Sequence, residues 1–197
     1  MSLIIPEVQC DYLDEGARRF LEALRSDSTT ERWVIIHAPK FPNAPMPIPG
    51  VEVNVIVDPS SAVLMTLCVP QQKIEYRAGS GWVLGGIAVD PYEQAEELEK
   101  ALRAYLEEGG INLSRTPIGR AIVFTNAAPP ADAPCTVPTF NVNDLATARD
   151  FMTKVVETIR ATRVAPSADV GRGAWPDYRL SAENAIMIMA RLISSTK

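Results

Sequence analysis

The sequence predicts an α/β or α+β protein in which a mixed sheet of about four to six strands is flanked by helices, with more helices at the C-terminus. Short apolar and β-branched runs at 32–38, 51–69 and 120–126 predict strands. Apolar residues at helical spacing in 11–27 and 91–108 predict amphipathic helices. With 197 residues, 47% of them hydrophobic, the chain can bury one good-sized core, so we expect a single domain.

The first two predicted helices have recognisable ends. In the first, apolar residues recur at helical spacing over Leu13–Leu24, and either Asp11 or Asp14 can act as N-cap. The second has an aspartate N-cap followed by proline at 90–91, and Gly109 is its stop signal. The first of these helices precedes the predicted strand at 32–38, and the second follows the predicted hairpin at 74–84.

Three groups of residues predict the sheet. A strand at 32–38 leads into an irregular loop at 39–50, which contains five prolines. The segment 51–69 predicts a buried hairpin, because two apolar runs flank an Asp-Pro-Ser-Ser turn. We expect a second short hairpin at 74–84 and a short buried strand at 120–126.

The last third of the chain, about 140–197, is predicted to be helical. Asp144 can cap a helix over 145–163, and Ser181 can cap a second helix over 182–194. The last helix is apolar nearly all round, which predicts that it is buried in the core, packed on a neighbouring domain or used in an oligomer interface.

The net charge of −5 and the pI near 5.0 weigh against tight, unassisted binding to nucleic acid, because cationic side chains supply most of such affinity. A local basic patch is still compatible with this composition. Basic and aromatic residues near the C-terminus form a candidate surface for stacking single strands, although aromatic residues beside a proline are more often packing anchors. The candidates are Arg160, Arg163, Arg172, Trp175, Tyr178 and Arg179.

Composition also argues against several other classes of protein. The three cysteines are widely spaced and His37 is the only histidine, so neither a zinc site nor a disulfide scaffold is expected. The apolar runs are far shorter than the roughly 20 residues that a membrane-spanning helix needs. The N-terminus lacks the basic region of a secretory signal, so we expect a cytoplasmic protein without a membrane partner.

Several segments, in order, resemble the nuclease-related domain (NERD) family, a branch of the PD-(D/E)XK nuclease-like fold. They are the helix DEGARRFLEAL, the strands VEVNVIVDP and AVLMTLCV, the segment KIEYRAGSGW, the helix start DPYEQAEEL and the strand AIVF. Together they cover roughly residues 11–126. The resemblance implies a restriction-endonuclease-like mixed sheet flanked by helices, with the C-terminal helices added to it.

The resemblance also implies where catalysis would take place. In active members the first helix supplies a Glu, the first hairpin strand an Asp and the second strand a Glu-X-Lys triplet, while the next helix often has a Gln. In this sequence those positions are occupied by Ala17, Asn54, Thr66 and Cys68, and only Gln94 fits the family pattern.

Chemistry gives the same expectation without the family. Hydrolysis of a phosphodiester needs Mg²⁺ or Mn²⁺ to stabilise charge and activate water, and Mg²⁺ is held by carboxylate oxygens. Asn54 and Thr66 are neutral, and Cys68 cannot supply the ammonium group of a lysine. We therefore expect a catalytically degenerate protein without a cofactor, kept as a binding module that contacts nucleic acid, a DNA-processing protein or a second copy of itself, in part through the apolar last helix.

Two alternatives remain open at this stage. In the first, the protein is an active Mg²⁺- or Mn²⁺-dependent DNA nuclease whose ligands have migrated to Glu52, Asp58 and Glu15, with Gln94 positioning the phosphate. In the second, it is an assembly protein that has no role with nucleic acid.

Overall fold

The structure, a computed structural model, describes residues 2–5, 13–141, 144, 148–164 and 180–196. Its strands are β1 (Leu3–Ile5), β2 (Val34–His37), β3 (Glu52–Val57), β4 (Val63–Val69), β5 (Ile74–Arg77), β6 (Gly81–Leu84), β7 (Ile87–Ala88), β8 (Ile118–Phe124) and β9 (Thr139–Phe140). Its helices are α1 (Glu15–Ser26), α2 (Pro91–Glu108), α3 (Ala148–Val164) and α4 (Ala182–Ser194).

The strands form two sheets. The larger has the order β1-β2-β3-β4-β8-β9, in which β2, β3 and β4 are antiparallel and the outer pairs are parallel. The smaller sheet, β5-β6-β7, is antiparallel. The predicted α/β class, with a mixed sheet flanked by helices and helices at the C-terminus, is confirmed.

The larger sheet separates two apolar layers. Alternate residues of β3 and β4 point to opposite faces, as the strand period of two requires. On one face Ile56 and Leu64 pack in the same cluster as Phe20 of α1 and Phe151 of α3. The other face is covered by α2, α4 and the smaller sheet, whose buried residues belong to a separate cluster that includes Val55.

The N-terminus of α1 is placed by a glycine. The side chain of Asp14 caps the helix by accepting hydrogen bonds from the backbone N–H groups of Gly16 and Ala17, at 2.9 and 3.4 Å. A Cβ atom on Gly16 would lie only 2.4 Å from the Cβ of Thr125, just after β8. The absence of a side chain at Gly16 therefore lets the start of α1 approach the end of β8.

The last helix, α4, is buried on one side only. Ser181 caps it through the N–H of Asn184, and Ile188 and Leu192 are fully buried against the sheet. Ile186 remains 64% exposed and Met187 36% exposed, so the expected burial in the core applies to one face of the helix. Within the described ranges, no helix is both long enough and apolar enough to cross a membrane.

Candidate functional site

Of the four positions that the resemblance matches to nuclease residues, Asn54, Thr66 and Cys68 lie on the face of the sheet that α1 covers, and Ala17 lies on α1 itself. In the strand register Asn54 is opposite Thr66, and Cys68 lies two residues further along β4. Ala17 of α1 belongs to the same apolar cluster as Cys68. None of the four is more than 1% exposed, so this part of the face is closed to solvent.

Asn54 is held by polar partners on both neighbouring strands. Its Oδ1 lies 2.8 Å from Nδ1 of His37 on β2, and its Nδ2 donates to Sγ of Cys68 on β4 at 3.5 Å. Because an amide oxygen only accepts, Nδ1 of His37 carries the proton in this bond. The Thr66 hydroxyl donates to the backbone carbonyl of Asn54 at 3.4 Å. Both polar atoms of the Asn54 carboxamide are therefore already hydrogen-bonded within the protein.

Glu52 is the first residue of β3 and lies two residues before Asn54 on the same strand. Its Oε2 atom is buried and has no hydrogen-bond partner within the described part of the chain. Burial raises the pKa of the Glu52 carboxyl above its ordinary value, His37 opposes this effect, and the negative charge of Asp14 adds to it. We refer to Asp14, His37, Glu52, Asn54 and Cys68 as the strand-end cluster.

Cys68 contributes a neutral thiol to the strand-end cluster. It is completely buried, and burial together with the nearby Glu52 charge raises the pKa of the Cys68 thiol far above its ordinary value. Thiolate is the form that attacks substrates and binds metals, and burial in apolar surroundings suppresses it. Cys68 is therefore a packing residue and a weak hydrogen-bond acceptor, as its position on a buried strand predicts.

Asp14 uses its carboxylate for structure. Besides capping α1, it accepts a hydrogen bond from Nδ2 of Asn126 at 2.9 Å, and the same Nδ2 donates to the carbonyl of Pro70 at 2.8 Å. Thr125 adds a longer contact of 3.4 Å through its hydroxyl. These bonds join α1 to the ends of β4 and β8.

The strand-end cluster does not fit Mg²⁺ or Mn²⁺. These ions need several carboxylate or carbonyl oxygens on an accessible cavity wall. Asp14 is engaged in the helix cap and the Asn54 amide is engaged with His37 and Cys68, so Glu52 is left as a single carboxylate. Across the described ranges, no three His, Cys, Asp or Glu residues are grouped so that they could hold a metal ion.

The proposed migrated ligands are not brought together. Glu52 begins β3 and Asp58 follows its other end, so they are separated by about 20 Å of extended strand. Asp58 accepts from the backbone N–H and the hydroxyl of Ser60, at 3.0 and 2.8 Å, and so stabilises the turn. Glu15 is exposed on α1 and pairs with Arg19.

Gln94 is placed on the opposite side of the sheet from Asn54. It lies on α2, is 7% exposed, and donates from Nε2 to the carbonyl of Met46 at 3.0 Å. It therefore supports the proline-rich loop between β2 and β3.

Of the six residues proposed for a nucleic-acid patch, the structure describes the side chain of Arg160 alone. Arg160 is exposed on α3 and lines a groove together with Asp27 and Glu157, whose negative charges oppose phosphate binding. The side chain of Arg163, and residues Arg172, Trp175, Tyr178 and Arg179, lie outside the described part of the structure.

The sequence alone gives no signal that connects His37 with Asn54. The pairing follows once β2 and β3 are recognised as antiparallel neighbours, since the register places His37 directly opposite Asn54. Asp14 is one of the two N-cap candidates that the sequence offers, and the structure shows it as the cap, but its proximity to Glu52 depends on the approach of α1 to the sheet.

Comparison of the chain with models of protein families, with curated proteins and with solved structures gives no match.

Proposed function

We propose that this chain is a catalytically degenerate nuclease-like protein that acts as a binding module, contacting a partner protein in nucleic-acid processing. The observation that carries the proposal is the sealed Asn54, which is 0% exposed and bonded to His37 and Cys68 at the place where the resemblance implies a metal-binding aspartate.

The order and placement of the elements support the nuclease-like part of the proposal. A helix precedes a sheet whose central hairpin, β3 and β4, brings Asn54, Thr66 and Cys68 together beneath that helix. This is the arrangement that the resemblance implies for the catalytic residues of active members. The chemistry differs at each of these positions.

The energetics support a role without cleavage. Phosphodiester hydrolysis requires a metal ion that stabilises the charge of the transition state and lowers the pKa of the attacking water. A neutral amide and a hydroxyl, both already hydrogen-bonded, offer no charge to hold such an ion. A buried thiol at position 68 offers no cation for the scissile phosphate.

A protein is favoured over nucleic acid as the direct partner. The chain carries a net charge of −5, and α2 has five exposed glutamates, which are Glu93, Glu96, Glu97, Glu107 and Glu108. Large apolar side chains are exposed at Met46 and Ile186, at 90% and 64%. Burial of such side chains in a contact with another protein would be favourable.

A Mn²⁺ titration followed by thermal unfolding tests the proposal, together with incubation of labelled single- and double-stranded DNA and RNA with Mg²⁺ or Mn²⁺. A bound ion at 100 times its Kd would stabilise the fold by about 2.7 kcal/mol. We expect no saturable rise of the melting temperature and no cleavage.

Glu52→Gln is the matched variant, because it removes the one uncommitted carboxylate of the strand-end cluster while keeping its shape. Metal-dependent cleavage by the wild-type chain that disappears in Glu52→Gln would overturn the proposal and establish an active enzyme with migrated ligands.

A further inference from the structure

The loop between β2 and β3 has a sequence that restricts its backbone strongly. Every residue of Ala44–Pro49 is either a proline or immediately precedes one. Proline fixes its own φ near −65°, and the residue before a proline is pushed into the extended or polyproline II region. This segment is therefore biased towards polyproline II before any tertiary contact forms.

Two pairs of residues three apart, Pro45 with Ile48 and Met46 with Pro49, differ in exposure as the period of that helix would predict. Residues three apart share an edge of a polyproline II helix. One edge faces the protein, since Ile48 is 4% exposed and Pro45 is half-buried. The edge of Met46 and Pro49 faces solvent, as does Pro47, and the Met46 side chain is 90% exposed.

The protein holds this loop from behind. Nε2 of Gln94 donates to the carbonyl of Met46 at 3.0 Å, and Nε2 of Gln71 donates to the carbonyl of Pro49 at 2.9 Å. Phe41 is 7% exposed and lies 5.9 Å, between ring centroids, from Tyr105 of α2. A segment anchored at these points loses little conformational entropy when a partner binds it.

We propose that Met46–Pro49 is a preorganised docking element, recognised by a partner protein through an aromatic-lined groove of the kind that binds polyproline II segments. Such grooves accept prolines and apolar side chains from two adjacent edges of the helix. The exposed edges here present Met46, Pro47 and Pro49, and none of these side chains carries charge. The inference rests on the proposed function, because it identifies the surface through which the binding module works.

A panel of purified SH3, WW and EVH1 domains, titrated up to millimolar concentration against the full chain by biolayer interferometry, tests this inference. We expect at least one domain to bind. Met46→Ala or Pro47→Ala should weaken that binding by about tenfold or more, because each removes apolar surface that the groove would bury. Leu3→Ala on β1 is the matched control, since it shortens another exposed apolar side chain, which is 57% exposed, and should leave the affinity unchanged.

Met46→Ala and the control variant should melt like the wild-type chain, because the substituted side chains are exposed, whereas Pro47→Ala should lower the melting temperature only slightly, because it relaxes the unfolded chain. Absence of binding across the panel, or binding that is indifferent to Met46 and Pro47, would overturn the inference. Self-association of the chain that depends on Met46, measured by analytical ultracentrifugation, would overturn it in favour of a second copy as the occupant. These outcomes are separate from the cleavage assay, so the docking element can fail while the proposed function stands.

Discussion

Returning a carboxylate to position 54 tests whether the strand-end cluster still tolerates a charge. Asn54→Asp preserves the shape of the side chain, but it removes the Nδ2 donor to Cys68 and puts a negative charge at a position of 0% exposure beside Glu52. The His37 Nδ1–H still donates to one oxygen. A buried charge with incomplete compensation costs about 3 kcal/mol, and we expect this loss of unfolding free energy at neutral pH.

The pH dependence of the unfolding free energy distinguishes the charged form of the introduced carboxyl from its neutral form. Burial and the Glu52 charge will raise the pKa of the introduced carboxyl in the folded state above its unfolded value. Its neutral form is therefore the tolerated one, and stability that is present below the unfolded pKa is lost as the pH rises through the folded pKa. The deficit should shrink on acidification.

Urea unfolding at several pH values measures this effect, and Asn43→Asp is the matched control. Asn43 is exposed in the loop with a left-handed φ of 61°, which aspartate also adopts, so this variant should unfold like the wild type. An Asn54→Asp variant with the wild-type urea midpoint at neutral pH, or one that gains a saturable Mn²⁺ stabilisation, would refute the reasoning that the site is sealed.

Three further predictions concern stability. Gly16→Ala should destabilise the fold by about 2 kcal/mol, because the new Cβ would lie 2.4 Å from that of Thr125, and a normal urea midpoint would contradict this close approach. Glu99→Ala should cost about 2 kcal/mol in chemical unfolding, since Arg103 loses its carboxylate partner and Arg120 keeps only the 3.6 Å contact with Glu96, whereas the exposed Glu97→Ala should have little effect. Glu52→Gln should be more stable than wild type at neutral pH. The pKa of Glu52 is raised in the folded state, so in the wild type the stability contributed by the neutral carboxyl is lost as the pH rises above the unfolded Glu pKa, and the variant should not show this loss. An unchanged pH profile of the unfolding free energy would count against the burial of Glu52.

The elements that could be predicted from sequence are those whose signals are local. The helix α2 begins at Pro91 after its Asp90 cap and ends before Gly109, as its sequence indicates. The hairpin of β3 and β4 follows from two apolar runs around one turn. In contrast, β1, β7 and β9 have only two or three residues each. Strands this short carry too little pattern to be recognised and depend on pairing with longer neighbours.

The site was predictable to the extent that it lies within one hairpin. Once the turn fixes the register, Asn54 and Thr66 must be opposite each other. The contact of His37 with Asn54 depends on the pairing of β2 with β3 across the proline-rich loop. The position of Asp14 near the sheet depends on the close approach of α1 at Gly16. These contacts join distant parts of the chain, and no local periodicity encodes them.

The sealed cluster and the proline-rich loop are consequences of the same strand pair. The loop leaves the sheet just after His37 and returns just before Glu52, and the backbone N–H of Ala38 donates to the carbonyl of Val53 at 2.8 Å to close its base. The bond between His37 and Asn54 therefore ties together the two strands that carry the loop. In a nuclease an aspartate at this position would have to remain open to metal and water, whereas a neutral amide can bond to both neighbouring strands. Under the proposed function, the neutral amide gives up metal binding and, through the same hydrogen bonds, makes the base of the proposed docking element more rigid.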